Sequence, residues 1–361
     1  MTQTGLRVEG LRVQLGEFAL SDIGLDVAPG QCCVVLGPNG AGKSVLLETL
    51  AGFYPVRSGR VLVHGQDVTR TAPERRGIAL LFQDFALFPN LSVADNIRFG
   101  LRHGRGGVRE AARVEDLLRR FGLSALRDRR PNQLSGGEKQ KVALARAMAV
   151  EPQVFLFDEP ASALDARTRA GLQEALKHFL HETGVPAVYV THDHAEARAL
   201  ADHVLVLSQG KGVQAGRPAD IFDRPVNAFV AGFVAIDTMV PARLVERNRD
   251  HVLFAVGGAR LSAASADIGR DRDALLCIRA EYVQLAGHAP ADSGAGSNVL
   301  PATVMDAIDR GPYFRVDLDA GFCLSAYVMK HSAGELDLTP GARLWAHVPP
   351  ERVHAVAREP V

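Results

Sequence analysis

Gly37-Pro38-Asn39-Gly40-Ala41-Gly42-Lys43-Ser44 follows the apolar run Cys32–Leu36 and opens the helical stretch Val45–Leu50, and this segment decides the fold. It fits G-x-x-x-x-G-K-[ST] in the context that pattern needs, a strand before it and a helix after it. The glycines let the backbone curl so that successive N–H groups and the helix start face phosphate oxygens. Lys43 is then expected to reach the β and γ oxygens of a nucleotide, and Ser44 to hold Mg²⁺. A chance match in a chain this long has a probability on the order of 1% from average residue usage.

Working outward, Val154-Phe155-Leu156-Phe157-Asp158-Glu159 reads as an apolar strand ending in two carboxylates, where open α/β sheets place ligands. Asp158 can serve Mg²⁺ and Glu159 can orient or deprotonate an attacking water. Taken alone, the same run is a buried strand with a solvated acidic end. Leu134-Ser135-Gly136-Gly137-Glu138 has the S-x-x-E spacing of a capping box ahead of a long helical run. Two glycines at the first helical positions cost stability unless something must approach the backbone closely, and a phosphate at a positive helix end is the candidate.

Up to about Asp237, β-rich runs at Cys32–Leu36, Val154–Phe157, Ala187–Val190 and His203–Leu207 alternate with helical stretches, which predicts an α/β domain with a largely parallel sheet. Val108–Phe121 and Gly136–Val150 have helical spacing with no strand between them, so a helical lobe over about 86–150 is expected. After Pro241 the pattern becomes β runs and turns: Val252–Val256, Ala274–Ile278, Pro301–Met305, Tyr313–Leu318 and Arg343–Val348. That spacing predicts small antiparallel barrels, two similar halves joined by the flexible segment Ala291–Ser297. The expected domains are therefore 1–236 and 237–361.

Composition narrows the class. The 361 residues are 47% apolar and 23% charged, a globular balance, and 41 basic side chains cancel 41 acidic ones, so no global field gathers nucleic acid. The start MTQTGLRVEG lacks the features of a secretory signal, and no apolar run approaches bilayer-spanning length. A cytoplasmic chain that meets a membrane only through a partner is expected. Cys32, Cys33, Cys277 and Cys323 have no zinc spacing and read as reduced core residues.

Gly37–Ser44, Gln83, Leu134–Gln140, Val154–Glu159, Ser162-Ala163-Leu164-Asp165 and His192 occur in the order and spacing of the nucleotide-binding subunits of ABC transporters, and residues 5–236 resemble that family. The resemblance implies a P-loop NTPase fold and two copies arranged head to tail. Each ATP would lie between Gly37–Ser44 of one copy and Ser135, Gly136, Gly137 and Glu138 of the other. It further implies that Gln83 contacts Mg²⁺ and senses the γ-phosphate, that His192 contacts the γ-phosphate, and that Asp165 communicates across the dimer. Alone, His192 would be an ordinary strand-end histidine. The aromatic residue expected to stack on adenine is replaced by Leu15 beside Gly16, leaving Phe18 as the nearest ring, either a stacking residue or a core residue.

Gln83–Val93, QDFALFPNLSV, resembles the importer loop that receives a helix of the integral membrane permease, with Phe85, Leu87, Phe88 and Pro89 as an apolar docking patch. Packing inside the helical lobe is the other reading of those residues. A substrate-binding protein outside the membrane would be an indirect partner. The C-terminal region resembles the TOBE barrels of import ATPases, with Cys277-Ile278-Arg279-Ala280-Glu281 standing where the family has R-P-E. Gly42–Glu48, Ala51-Gly52, Pro73–Ile78, Asn298–Pro301, Gly321–Leu324 and Ser332–Leu336 look most like the molybdate and tungstate branch. Ser325, Lys330, His331 and Ser332 are candidate donors to an oxyanion there, or plain surface polar residues of a barrel. An importer of sulfate, ferric iron, sugar or polyamine, a non-transport ATPase and an oxyanion-sensing regulator remain the alternatives.

Overall fold

The computed structural model describes residues 5–82, 87–101, 108–162, 164–248, 252–264, 268, 272–289 and 297–358. Contacts divide the chain into two compact units, Met1–Pro218 and Ala219–Val361.

In the first unit, strands β1 (Leu6–Leu15), β2 (Phe18–Val27) and β3 (Cys32–Leu36) lead to helix α1 (Lys43–Ala51). Strands β4 (Ser58–Val63), β5 (Gln66–Asp67) and β6 (Ile78–Leu81) follow, then helices α2 (Val93–Phe99), α3 (Val108–Arg120) and α4 (Gly136–Ala149). The unit continues through β7 (Val154–Asp158), α5 (Ala166–Thr183), β8 (Ala187–Val190), α6 (His194–Leu200), β9 (His203–Ser208) and β10 (Lys211–Gly216). The ten strands lie in the order β5-β4-β1-β2-β10-β9-β3-β8-β7-β6.

The central stretch β9-β3-β8-β7-β6 is parallel, and β10 meets β2 in parallel at Lys211 and Ser21; β1 pairs antiparallel with β2 and β4, β4 with β5, and β10 with β9. The sheet is thus more mixed than its central runs predict. The reason is local: β3, β7 and β8 carry buried, continuous apolar runs, as strands covered on both faces must, whereas β1 alternates buried and exposed positions. Helices α2, α3 and α4 pack on one another as the expected helical lobe.

In the second unit, helices α7 (Pro218–Phe222) and α8 (Ala228–Phe233) precede β11 (Thr238–Arg247), β12 (Val252–Val256), β13 (Ala259–Ala263), β14 (Asp273–Ile278) and β15 (Gln284–Ala286). Then come β16 (Asn298–Asp309), β17 (Tyr313–Asp319), β18 (Cys323–Met329), α9 (Lys330–Ala333), β19 (Arg343–Val348) and β20 (His354–Ala357). They form two five-stranded sheets, β13-β12-β11-β14-β20 and β15-β19-β16-β17-β18.

This is not a pair of separate similar barrels. The last strand, β20, pairs with β14 of the first sheet, β15 pairs with β19 of the second, and side chains of both sheets enter one hydrophobic core. Each half completes the other, so neither buries its apolar face alone. The division after Pro218 also has a cause. Buried Arg279 donates to the Phe222 and Val234 carbonyls, tying the ends of α7 and α8 to the C-terminal sheets. Of the expected connector, 291–296 lie outside the described residues. Cys32, Cys33 and Cys277 are buried free thiols, pushed up in pKa by desolvation; Cys323 is exposed, contrary to expectation, because its β18 position points away from the core.

Candidate nucleotide site

Strand β3 is buried along its length between β9 and β8 and delivers the loop Gly37–Gly42 to α1, whose first residues are Lys43 and Ser44. Gly42, the residue before the helix, has φ 102°. A Cβ there would lie 2.5 Å from Phe18 Cζ and 2.9 Å from Leu20 Cδ2. Both backbone and space demand glycine. Having no side chain, Gly42 leaves the first N–H groups of α1 uncapped, and no acidic residue stands in the first turn, which suits an anion. Pro38, Asn39 and Gly40 are exposed and Ala41 is buried. Lys43 is buried, and its Nζ donates to the carbonyls of Gly37 at 2.9 Å and Pro38 at 3.1 Å. Desolvation pushes its pKa below the ordinary lysine value, opposed by the charges of Glu159 and Asp158.

The parallel register places the other predicted groups at the same sheet edge. Asp158 is opposite Val190 at the end of β7, and Val35 is opposite Val190 from the other side. Burial raises the pKa of Asp158, the nearby Ser44 hydroxyl opposes the rise, and the charges of Glu159 and Glu48 add to it. Glu159 has φ 45°, a left-handed backbone costing a non-glycine residue about 1 kcal/mol. Its N–H donates to Val190 O at 3.0 Å and its carbonyl accepts from Ser162 Oγ at 2.9 Å, which holds the strained turn. Its Oε2 lies 3.0 Å from His192 Nδ1. An ionised carboxylate only accepts, so that pairing places the hydrogen on Nδ1.

Ser44, a hydroxyl, and Asp158, a carboxylate, are neighbouring hard oxygen donors, which fits Mg²⁺ with its preference for few protein oxygens plus phosphates. Among the described residues no group of three His, Cys, Asp or Glu is assembled into a metal cluster. Gln83 lies outside the described residues.

Ser135 and Glu138 form the expected capping box: Ser135 Oγ accepts from Glu138 N at 3.3 Å, and Glu138 Oε2 accepts from Ser135 N at 2.7 Å. Gly136 and Gly137 begin α4, and a Cβ on Gly137 would lie 2.8 Å from Thr168 Cγ2 of α5. These residues stand beside α5 and the turn that leads into it. Asp165 caps α5, accepting from Thr168 N at 3.1 Å and Thr168 Oγ1 at 2.6 Å. The half-buried Phe18 packs against Gly42 and the core beneath the phosphate loop.

Of the expected docking patch, Phe85 lies outside the described residues, Leu87 is half-buried and Pro89 exposed. Phe88 packs within the helical lobe: its ring lies 4.2 Å from that of Phe99, Arg146 stacks over it, and buried Asn96 accepts from its N–H. The C-terminal oxyanion candidates do not converge. Ser325 Oγ is buried and donates to Asp317 Oδ1 at 2.7 Å, Lys330 pairs with Asp309 at 2.9 Å, and His331 is exposed.

Three residues without a role in the sequence reading serve the site. Buried Arg76 donates to the carbonyls of Thr49 and Leu50, fixing the far end of α1. Buried Gln140 donates to Pro160 O at 2.6 Å, tying α4 to the turn after Glu159. Arg169 bridges Leu164 O and Asp193. Gln140 and Arg76 fall inside the segments Leu134–Gln140 and Pro73–Ile78, but the carbonyls of Pro160, Thr49 and Leu50 and the Asp193 carboxylate that these three residues reach are distant in sequence and follow no spacing.

A phosphate loop, a carboxylate pair and a histidine at one edge of a parallel sheet define an ATPase site, and the chain belongs to the ABC transporter ATP-binding family. The ABC transporter family model matches residues 20–162, and the TOBE domain model matches 276–356. The chain is 39% identical to the sulfate/thiosulfate import ATP-binding protein CysA 2 of Chromobacterium violaceum over 98% of this chain and 96% of that protein. It is 38% identical to the spermidine/putrescine import ATP-binding protein PotA 1 of Pseudomonas aeruginosa over 86% and 85%. It is 36% identical to the molybdate/tungstate import ATP-binding protein WtpC of Pyrococcus abyssi over 94% and 96%. A solved dimeric ATP-binding cassette in a post-hydrolysis state, bound to ADP and Pi, superposes with TM-score 0.52 at 28% identity, covering 59% of this chain and 98% of that one. The chain is therefore an ATP-hydrolysing, ATP-binding subunit of an ABC importer. No helix among the described residues is long and apolar enough to cross a membrane.

Proposed function

We propose that this chain hydrolyses MgATP between two head-to-tail copies of itself to drive uptake of a tetrahedral oxyanion, with sulfate or thiosulfate ahead of molybdate or tungstate. The observation that carries the chemistry is the meeting of Lys43, Ser44, Asp158, Glu159 and His192 at one sheet edge. ATP phosphates take the α1 N–H groups and the Lys43 ammonium, which must leave the Gly37 and Pro38 carbonyls to reach them. Ser44 and Asp158 would hold Mg²⁺, which would supply positive charge against that of the phosphates. Glu159, fixed by Val190 O and by His192, orients and deprotonates the attacking water, and His192 faces the γ-phosphate. Ser135–Glu138 of the second copy cover the nucleotide, and Asp165 lies at the seam.

The subunit sits on the cytoplasmic face of the membrane through a permease that meets the segment around Phe85, Leu87 and Pro89. The sequence features resembling the molybdate and tungstate branch are offset by the higher identity to the sulfate-import relative, so the shared chemistry of a tetrahedral dianion is the better reading. The spermidine/putrescine relative favours a polyamine as the second candidate. Glu159→Gln is expected to keep ATP binding while lowering hydrolysis by at least about a hundredfold; hydrolysis near the parent rate would refute the role of Glu159. For the cargo, ATPase activity of the subunit with its permease and binding protein is titrated with sulfate, thiosulfate, molybdate and putrescine. Stimulation by oxyanions and not by putrescine supports the proposal; the reverse overturns it.

A further inference from the structure

The geometry points to Arg169 as a positioning residue for hydrolysis, which makes the loop carrying His192 move with the loop ending at Asp165. This rests on the functional reading above. Arg169 lies in the first turn of α5. Its Nη2 donates to Leu164 O at 3.0 Å, its Nη1 donates to Asp193 Oδ2 at 3.0 Å, and its Nε is 3.7 Å from Glu196 Oε1.

Asp193 directly follows His192, and its other oxygen, Oδ1, caps α6 by accepting from Ala195 N at 2.7 Å and Glu196 N at 3.3 Å. One carboxylate thus fixes the helix behind His192 with one oxygen and grips Arg169 with the other. The planar fork of a guanidinium meets these separate acceptors in fixed directions, which the compact ammonium of lysine does not reproduce. Arg169 and Asp193 are about two-thirds shielded, and Glu196 is buried, so water screens the pair less than it would an exposed one.

The Arg169 Nε is buried and has no hydrogen-bond partner. Its separation from Glu196 Oε1 is too long for a hydrogen bond by under 1 Å, so a small approach of α6 to α5 would complete a bond now left unmade. The linkage therefore has a looser and a tighter arrangement. Displacement at the Asp165 loop, which the second copy touches in the proposed dimer, reaches the His192 side of the site through Arg169, alongside the bonds of Ser162 to the Glu159 carbonyl.

The test measures ATP hydrolysis by the purified full chain with Mg²⁺ in Arg169→Ala, Arg169→Lys, Asp193→Asn and the Ala/Asn double variant. The Asp193 amide substitution retains the cap on α6 and loses the ion pair, so it reads the same bond should Arg169→Ala fail to fold. Expected are a fall in kcat of about tenfold in both single neutral variants, KM for ATP within about twofold, and a Hill coefficient in ATP falling toward unity. Arg169→Lys restores part of kcat, and the double variant falls no further than the singles. An Asp193→Asn chain with kcat within about twofold of the parent and unchanged cooperativity overturns the proposal, as does a rise in KM at unchanged kcat, which would mean binding rather than positioning. Glu159→Gln run alongside separates the two readings: persistent hydrolysis there would sink the functional assignment itself.

Discussion

Helices α1 and α4 both begin in glycine-rich sequence, yet their starts are finished differently. The α1 start follows a glycine without a side chain, has no acid in its first turn, and faces its carboxylates across the site on β7. The α4 start carries its own anion, Glu138, doubly bound to Ser135. Hydrogen bonds from the Ser135 backbone and side chain hold the Glu138 carboxyl below the usual carboxylate range. A negative charge at a helix N-terminus offsets the dipole that would attract phosphate. The α1 start is thus open by construction, while the α4 start, in the proposed dimer, would have to exchange a bound carboxylate for a phosphate. In the proposed dimer the difference between those two interactions, rather than their sum, would set the affinity of the α4 start for phosphate.

Four substitutions break or sharpen this contrast. The largest effect is expected for Gly42→Ala, where a left-handed backbone and the 2.5 Å approach to Phe18 together cost about 3 kcal/mol and distort the phosphate loop. Denaturant unfolding and ATP binding should both weaken; a variant that binds ATP as tightly as the parent would show that the loop start is not fixed by this contact. Next, Ser135→Ala should cost about 1 kcal/mol. Because the folded pKa of Glu138 is depressed, its share of that stability is present above the unfolded pKa and lost as pH falls through the folded one. The deficit measured by denaturation should therefore shrink in acid, and a deficit independent of pH would argue against the capping box as its source.

Asp158→Asn should raise the stability of the nucleotide-free protein by less than about 1 kcal/mol while removing Mg²⁺-dependent hydrolysis. The sign follows from the raised folded pKa of Asp158. Its penalty is full above that pKa and vanishes below the unfolded value, so the gain in melting temperature should fade as pH falls. A lower melting temperature at neutral pH would refute the desolvation account. The smallest effect is expected for Gly136→Ala, whose Cβ meets only Leu164 Cδ2 at 3.9 Å, ordinary contact. Folding should gain about 0.5 kcal/mol and ATPase activity should fall, because in the proposed dimer a phosphate approaches that backbone. Unchanged ATPase would remove the reason for glycine there.

The sequence by itself determined the elements whose signal is local. The strand and turn around Lys43, the helices starting at Val108 and Gly136, the Ser135–Glu138 cap and the acidic end of β7 were legible because each depends on neighbours within a few residues. Only the tertiary structure decided what depends on distant backbone. Strand register brings His192 to Glu159, and the exchange of β15 and β20 fuses two expected barrels around one core. Arg279 assigns α7 and α8 to the C-terminal unit, and the guanidiniums of Arg76 and Arg169 find carbonyl and carboxylate partners that no spacing rule announces. A hydrogen bond across many residues leaves no period in the chain. Its existence is settled by which strands lie side by side, and that is decided by the burial of the whole sheet rather than by any segment of it.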